Sequence, residues 1–269
     1  MAISILRIIN FLSPKDRRSR LVAADVPYGS DARQKLDIYA PTEASGSLPV
    51  VFFIYGGSWS DGDRHNYRFA GRALAAQGFV CVIADYRLVP HIEYPQFLED
   101  CAQAFHWVVD NIAGHGGDPG RIALMGHSAG AYNAIMLALD PRYLTQAGLL
   151  SHVRCCIGLS GPYDFFPFDG PISLRVFGAV REPRMTQPIN HVGPDAPPMF
   201  LGSGDKDTLV YPRNSMALAA KLRKAGVLVE EVHYPSLTHP GPLMAMGRPG
   251  RWLAPVLSDV ARFLHARLN

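Results

Sequence analysis

Residues Gly126-His127-Ser128-Ala129-Gly130 set a serine between two glycines, each two positions away. Before them, Arg121 to Met125 is a short apolar run of strand type; after them, Tyr132 to Leu139 is helix-forming and almost wholly apolar. Strand, sharp turn and helix, with serine at the apex, is the context that a nucleophile elbow demands. Such a turn crowds Ser128 against the backbone of the following helix, so only small residues fit at 126 and 130. It also lifts the hydroxyl clear of the sheet and places it at a helix N-terminus. Free N–H groups and the helix dipole there favour developing negative charge. The chemistry this suits is attack by a hydroxyl on a carbonyl carbon.

A serine needs a base, and the base needs an orienting carboxylate. When the elbow comes first, the acid and then the histidine are expected further along the chain, in loops leaving the carboxyl ends of strands. Asp205 and Asp207, in Gly204-Asp205-Lys206-Asp207-Thr208-Leu209-Val210, follow a strand expected over Pro198 to Gly202. Asp207 is preferred as the acid, because Asp205 lies nearer the strand end, where it would cap the turn through backbone N–H groups. The chain has ten histidines. His239 follows the last expected strand and is the candidate base. His233 lies inside that strand and reads as structural, and His127 should point away from the Ser128 hydroxyl. His91, His106, His115, His152 and His265 have no positional argument. An oxyanion would need donors. The N–H of Ala129 is one, and those of Gly56 and Gly57, after the strand Pro49 to Ile54, are the others. Tyr55, Trp59, Phe165 and Phe166 are candidate pocket walls, with Phe168 beside them; core packing explains these aromatics equally well.

The elements that must hold these residues alternate along most of the chain. Continuous apolar strands are expected at Pro49 to Ile54, Phe79 to Ala84, Arg121 to Met125, Val153 to Leu159, Pro198 to Gly202 and Val227 to Tyr234. Helices fall at Arg64 to Gln77, Pro95 to Asn111, Pro212 to Ala225 and Trp252 to Arg267. This pattern argues an α/β fold, a mostly parallel central sheet of about eight strands with helices on both faces. Leu21 to Tyr28 and Lys35 to Tyr39 alternate in character and should be exposed antiparallel edge strands. Pro162 to Gly193, rich in Phe, Pro and Arg and without a period, is too long for an ordinary loop; a small cap over the site is expected. Within residues 1–20, Ile5, Leu6, Ile9 and Leu12 would share one helical face.

With 269 residues, 48% hydrophobic and 18% charged, the chain can build one large core, and a single domain over 1–269 is expected. A net charge of +3 with scattered basic residues argues against nucleic-acid binding. Cys81, Cys101, Cys155 and Cys156 show neither a C-x-x-C pair nor disulfide spacing. Buried free thiols, and an N-terminus without the features of a signal peptide, fit a cytoplasmic protein without stable membrane insertion. There is no H-E-x-x-H and no close His/Asp cluster, so neither a metal nor a cofactor is expected.

Taken together, YGGSW (Tyr55 to Trp59), DYRLVP (Asp85 to Pro90), GHSAG (Gly126 to Gly130), GDKDTLV (Gly204 to Val210) and the late His239 resemble the α/β-hydrolase superfamily. Within it the chain is most similar to the carboxylesterases related to hormone-sensitive lipase and kynurenine formamidase, from about Gln34 to the C-terminus. The resemblance implies a Ser128–His239–Asp207 triad, its D-x-x-V aspartate matching Asp207 with Val210, and a structural role for DYRL. Tyr55 stands where the family usually has histidine before Gly-Gly, and the family's longer N-terminal cap is missing. The expected function is hydrolysis of a small-molecule ester with a short acyl chain. Arylformamidase chemistry and a non-catalytic binding protein are the alternatives, and the chain is compatible with a homodimer.

Overall fold

The computed structural model describes Pro14 and residues 16–269. The expected N-terminal helical face at 5–12 lies outside them; residues 16–20 form a turn that enters the first strand. Among the described residues, eight strands make one sheet: β1 (Ser19–Pro27), β2 (Lys35–Pro41), β3 (Leu48–Ile54), β4 (Val80–Ala84), β5 (Gly117–His127), β6 (Val153–Leu159), β7 (Met199–Gly204) and β8 (Val229–Tyr234). Their spatial order is β1-β2-β4-β3-β5-β6-β7-β8. The pairs β1/β2 and β2/β4 are antiparallel and every other pair is parallel. This is the α/β-hydrolase arrangement.

The helices are α1 (Arg68–Ala75), α2 (Gln96–Asn111), α3 (Ala129–Leu139), α4 (Pro171–Phe177), α5 (Arg213–Lys224), α6 (Gly241–Met244) and α7 (Val256–Leu268). α1 and α7 lie against one face of the sheet, and α2, α3 and α5 against the other. Coverage on both faces is why β3 and β4 read as unbroken apolar runs: Val50 to Phe53 and Val80 to Ile83 are wholly buried. Every residue of α3 is buried. Among the described residues, no helix is long and apolar enough to cross a membrane.

Two sequence expectations change. β1 is an exposed edge, but β2 is not, because it pairs on both sides and is almost entirely buried. Its alternation survives as a buried charge: Asp37 is wholly buried and accepts Nε–H of Arg64 at 2.9 Å. Second, the helix expected at Arg64 begins as a 3-10 turn over Arg64–Tyr67. The Asp63 side chain caps that turn by accepting the His65 N–H, and the α-helix starts at Arg68.

The parallel strands end in register at one rim. Ile54 lies beside Gly126, Gly126 beside Gly158, Leu159 beside Gly202, and Gly204 beside Tyr234. The loops that follow β3, β5, β7 and β8 therefore leave from a common edge. Residues 162–193 contribute α4 and two 3-10 turns there. That segment is anchored by Phe177, wholly buried and edge-on to Trp59 at 5.0 Å.

Candidate active site

Ser128 sits between β5 and α3 with φ 55° and ψ −125°, a backbone conformation that non-glycine residues rarely adopt. The turn is that tight because its neighbours are small. A Cβ on Gly126 would fall 2.2 Å from the Gly130 carbonyl oxygen, and one on Gly130 would fall 2.0 Å from that of Ile54. The strain aims the Ser128 hydroxyl off the sheet, and His239 meets it: Oγ lies 2.8 Å from Nε2. On the far side of the ring, Nδ1–H donates to Oδ2 of Asp207 at 2.8 Å. Asp207 is buried, and its other oxygen accepts the N–H groups of Leu209 and Val210 at 3.0 and 2.8 Å. The carboxylate is thus fixed by its own loop before it fixes the imidazole. With the proton held at Nδ1, Nε2 is free to take the one on Ser128.

The capping role expected of Asp205 falls to Asp207. Asp205 is exposed and lies 3.5 Å from Nδ1 of His233, away from Ser128. His127, whose side chain the sequence only directs away from Ser128, has a definite place. Its Nε2–H donates to the backbone carbonyl of His239 at 3.0 Å. Burial, and then the nearby His239, pull the His127 pKa down to about 3, so the ring is neutral and can hold the proton on Nε2.

The loop after β3 closes over Ser128 from the other side. A Cβ on Gly56 would lie 3.0 Å from Cβ of Ser128 and 2.8 Å from the His127 carbonyl oxygen. Gly57 has φ 135°, and a side chain there would strike the Asp61 carbonyl at 2.0 Å. Among the described residues, the N–H group of Gly57 has no protein acceptor. Ala129 opens α3, so its N–H has none within the helix. Three backbone donors therefore flank the serine.

A cavity of about 300 Å³ opens beside Ser128 and Ala129, walled by Trp59, Phe165, Ile172, Leu209 and Val210. Trp59 is both wall and core: its Nε1–H donates to Asn133 Oδ1 at 2.9 Å, and it packs edge-on to Tyr132. Tyr55 and Phe166 are not walls, which corrects the sequence reading. Tyr55 is wholly buried, stacked between Tyr67 and Tyr86 at 5.1 and 5.0 Å, and its hydroxyl accepts from Arg33 at 2.8 Å. Phe166 turns outward, edge-on to Phe168 and under the Arg184 guanidinium. Sequence reasoning missed Ser58, Leu209 and Val210 at the cavity, and Asn133 behind it, whereas Ile172 comes from the expected cap. A lone amide inside the apolar run of α3 was the available signal for Asn133, since a buried amide needs partners.

Asp25, Asp37 and His65 each bring one potential metal-ligand atom within 4.8 Å of the others. The Arg64 guanidinium donates to both of those carboxylates and to Asp85, so the cluster's charge is already met by protein.

Known proteins resemble the chain in sequence and in shape. Esterase LipQ of Mycobacterium tuberculosis is 32% identical over 93% of this chain and 64% of its own length. The isoprenylcysteine alpha-carbonyl methylesterase ICME of Arabidopsis thaliana is 30% identical over 82% of this chain and 57% of its own. The chain thus spans somewhat more than half the length of these relatives. Among solved structures, esterase B from Lactobacillus rhamnosis superposes with TM-score 0.84 at 20% identity, covering 97% of this chain and 90% of that one. A truncated carbohydrate esterase from gut microbiota superposes with TM-score 0.82 at 21% identity, covering 95% and 99%. These likenesses show a shared fold. The BD-FAE family model matches residues 36–222, a stretch running from the start of β2 through the elbow and the acid loop into α5, and on that match the chain belongs to the BD-FAE family.

Proposed function

We propose that this chain is a serine carboxylesterase that hydrolyses short-chain acyl esters through an acyl-enzyme. The observation that carries the reading is the unbroken relay at the cavity wall, Ser128 Oγ to His239 Nε2 at 2.8 Å and His239 Nδ1 to Asp207 at 2.8 Å. Relatives named as esterases support it. In this mechanism Ser128 Oγ attacks the ester carbonyl carbon while Nε2 takes its proton, and Asp207 stabilises the imidazolium. The carbonyl oxygen becomes an oxyanion facing the N–H groups of Gly56, Gly57 and Ala129. Loss of one such donor typically costs ~3 kcal/mol of transition-state stabilisation. Collapse expels the alcohol, which takes the proton from His239. Water, deprotonated by the same nitrogen, then releases the acid. The apolar lining and limited volume of the cavity support a small acyl group. Four buried free thiols support a reducing, cytoplasmic setting.

A fluorophosphonate probe with peptide mapping tests the nucleophile: labelling should fall on Ser128 and vanish in His239→Ala. Turnover of p-nitrophenyl acetate and butyrate should exceed that of the laurate. A profile rising toward laurate would remove the short-chain assignment, and turnover of N-formylkynurenine without p-nitrophenyl ester turnover would reassign the scissile bond to an amide. An unlabelled, inert protein would sink the reading.

A further inference from the structure

We propose that Tyr67 and Tyr86 are positioning residues that aim the Gly57 and Gly56 N–H groups at the oxyanion, each by holding the carbonyl on the far side of the same peptide plane. The proposal rests on the ester-hydrolase reading above. A trans peptide unit is planar, with its C=O and N–H pointing in opposite directions, so fixing one group fixes the other. The Tyr86 hydroxyl donates to the Tyr55 carbonyl at 3.1 Å, and that carbonyl shares its plane with the Gly56 N–H. The Tyr67 hydroxyl donates to the Gly56 carbonyl at 3.2 Å, and that carbonyl shares its plane with the Gly57 N–H. Both bonds are buried, so no water competes for the carbonyls. Burial also drives both phenols far above their ordinary pKa, so they remain donors at any working pH.

The clamp is itself held in place. Tyr55 lies between the two tyrosines, its ring within 22° of parallel to each. The Arg33 guanidinium ties the Tyr55 hydroxyl to the Gly62 carbonyl, so the three rings and the end of the loop form one unit. This assigns Tyr55 a role that a pocket wall would not explain. It fills the space between the two donors and sets their separation. Glycines at 56 and 57 accept close approach but bring no side chain of their own to hold a peptide plane, so the constraint has to come from outside the loop. Preorganised N–H groups are the condition under which an oxyanion site lowers a barrier, because donors that must reorient during the reaction lose that advantage.

The test uses Tyr67→Phe, Tyr86→Phe and the double variant, which keep the stacked rings and remove only the hydroxyls. Tyr28→Phe is the control: the Tyr28 hydroxyl also donates to a buried carbonyl, that of Asp85 at 2.5 Å, but outside the Tyr55–Gly57 planes. Turnover of p-nitrophenyl butyrate is measured alongside inhibition by a butyl trifluoromethyl ketone, which adds Ser128 Oγ to form a hemiketal oxyanion while the proton passes to His239. Each single variant should lose roughly tenfold in kcat and in ketone affinity together, with KM little changed and the double near a hundredfold, below the full loss of a donor. Tyr28→Phe should melt lower by a similar amount yet keep both kinetic values. Full kcat and ketone affinity in the folded Phe variants would overturn the clamp and leave the tyrosines as packing. Inactivity of the unmodified protein toward every ester would overturn the esterase reading, and the clamp with it. The two singles act on different peptide planes, so either one that folds decides the matter.

Discussion

Among the described residues there are two serine–histidine–carboxylate arrays, and the first of them lines a cavity. In the first, Ser128 meets His239 through Nε2, and Nδ1 meets Asp207. In the second, Ser203 on β7 lies 3.1 Å from Nδ1 of His233, and Nε2 of that ring lies 2.8 Å from Glu231. The distances are alike; the surroundings are not. Ser203 is 1% exposed near the end of β7, directly across the pair from His233 on the outer strand β8. Its neighbours' N–H groups belong to the ladder, and no helix begins beside it. Ser128 occupies a strained turn at a helix N-terminus, with the uncommitted N–H groups of Gly57 and Ala129 nearby and a cavity in front. Facing side chains on adjacent strands bring such groups together at no special cost. A reactive serine also needs access, donors for the developing charge and a backbone conformation that offers its oxygen to a substrate.

Removing each serine separates the two arrays most sharply. Ser128→Ala should lower kcat on p-nitrophenyl acetate by on the order of 10⁶. Ser203→Ala should stay within about twofold and cost ~1 kcal/mol of stability in urea unfolding. Comparable kinetic losses in both would mean that the sheet array takes part in turnover. The acids come next. Asp207→Asn leaves the loop bonds from Leu209 and Val210 an acceptor but favours the wrong imidazole tautomer, a change that can cost ~10⁴ in rate. Asp205→Asn should leave the rate nearly unchanged, since that carboxylate faces His233. Stopped-flow acylation rates of the two variants test this directly, and equal losses would remove Asp207 from its assigned place.

A third contrast concerns pH. The His239 backbone is held by the neutral, buried His127, whereas the His233 ring is partly exposed at the sheet edge. A histidine whose folded pKa is lowered from 6.5 to about 3 stabilises the fold fully above 6.5. As pH falls from 6.5 toward 3, the unfolded chain binds a proton that the folded one refuses. Stability should therefore drop by at most ~1.4 kcal/mol per pH unit through that window. In His127→Asn the slope between pH 6 and 4 should flatten when unfolding is followed by circular dichroism. An unchanged slope would assign the acid sensitivity to other groups.

How much of this was legible in the chain depends on how local the signal is. The elbow, the strand alternation and the order of acid and base are written in short windows, and the structure brings Ser128 and Asp207 within hydrogen-bond reach of opposite nitrogens of His239. Asp205 and Asp207 were separable by spacing alone, but the capping role went to the wrong residue, because one carboxylate can serve a turn with one oxygen and a ring with the other. Tyr55 was misread for a different reason. Its partners, Tyr67, Tyr86 and Arg33, are 12, 31 and 22 residues away, and no window that holds one of them predicts a stack. The burial of β2 was hidden for the same reason: its second partner is β4, not its neighbour in sequence.

The smallest expected effect lies in the carboxylate of the second array. Burial works against ionisation of Glu231, but hydrogen bonds from His233 and Arg223 outweigh it and hold its pKa below the usual glutamate value. A carboxylate with a lowered folded pKa contributes above its unfolded value and loses that contribution as pH falls through the folded one. The expected benefit is therefore present at neutral pH and gone in acid. Its size is limited because β8 is the sheet's outer strand and the Arg223 partner is half exposed, so screening leaves below ~1 kcal/mol. Glu231→Gln should lower the melting temperature slightly at pH 7, and the difference should close below pH 4. Its kcat and its pH–rate profile should match those of the unmodified protein, because His233 serves the sheet and not the cavity. A shifted pH–rate profile in Glu231→Gln would mean that the two imidazoles titrate as one system and that the contrast between the arrays fails at the proton.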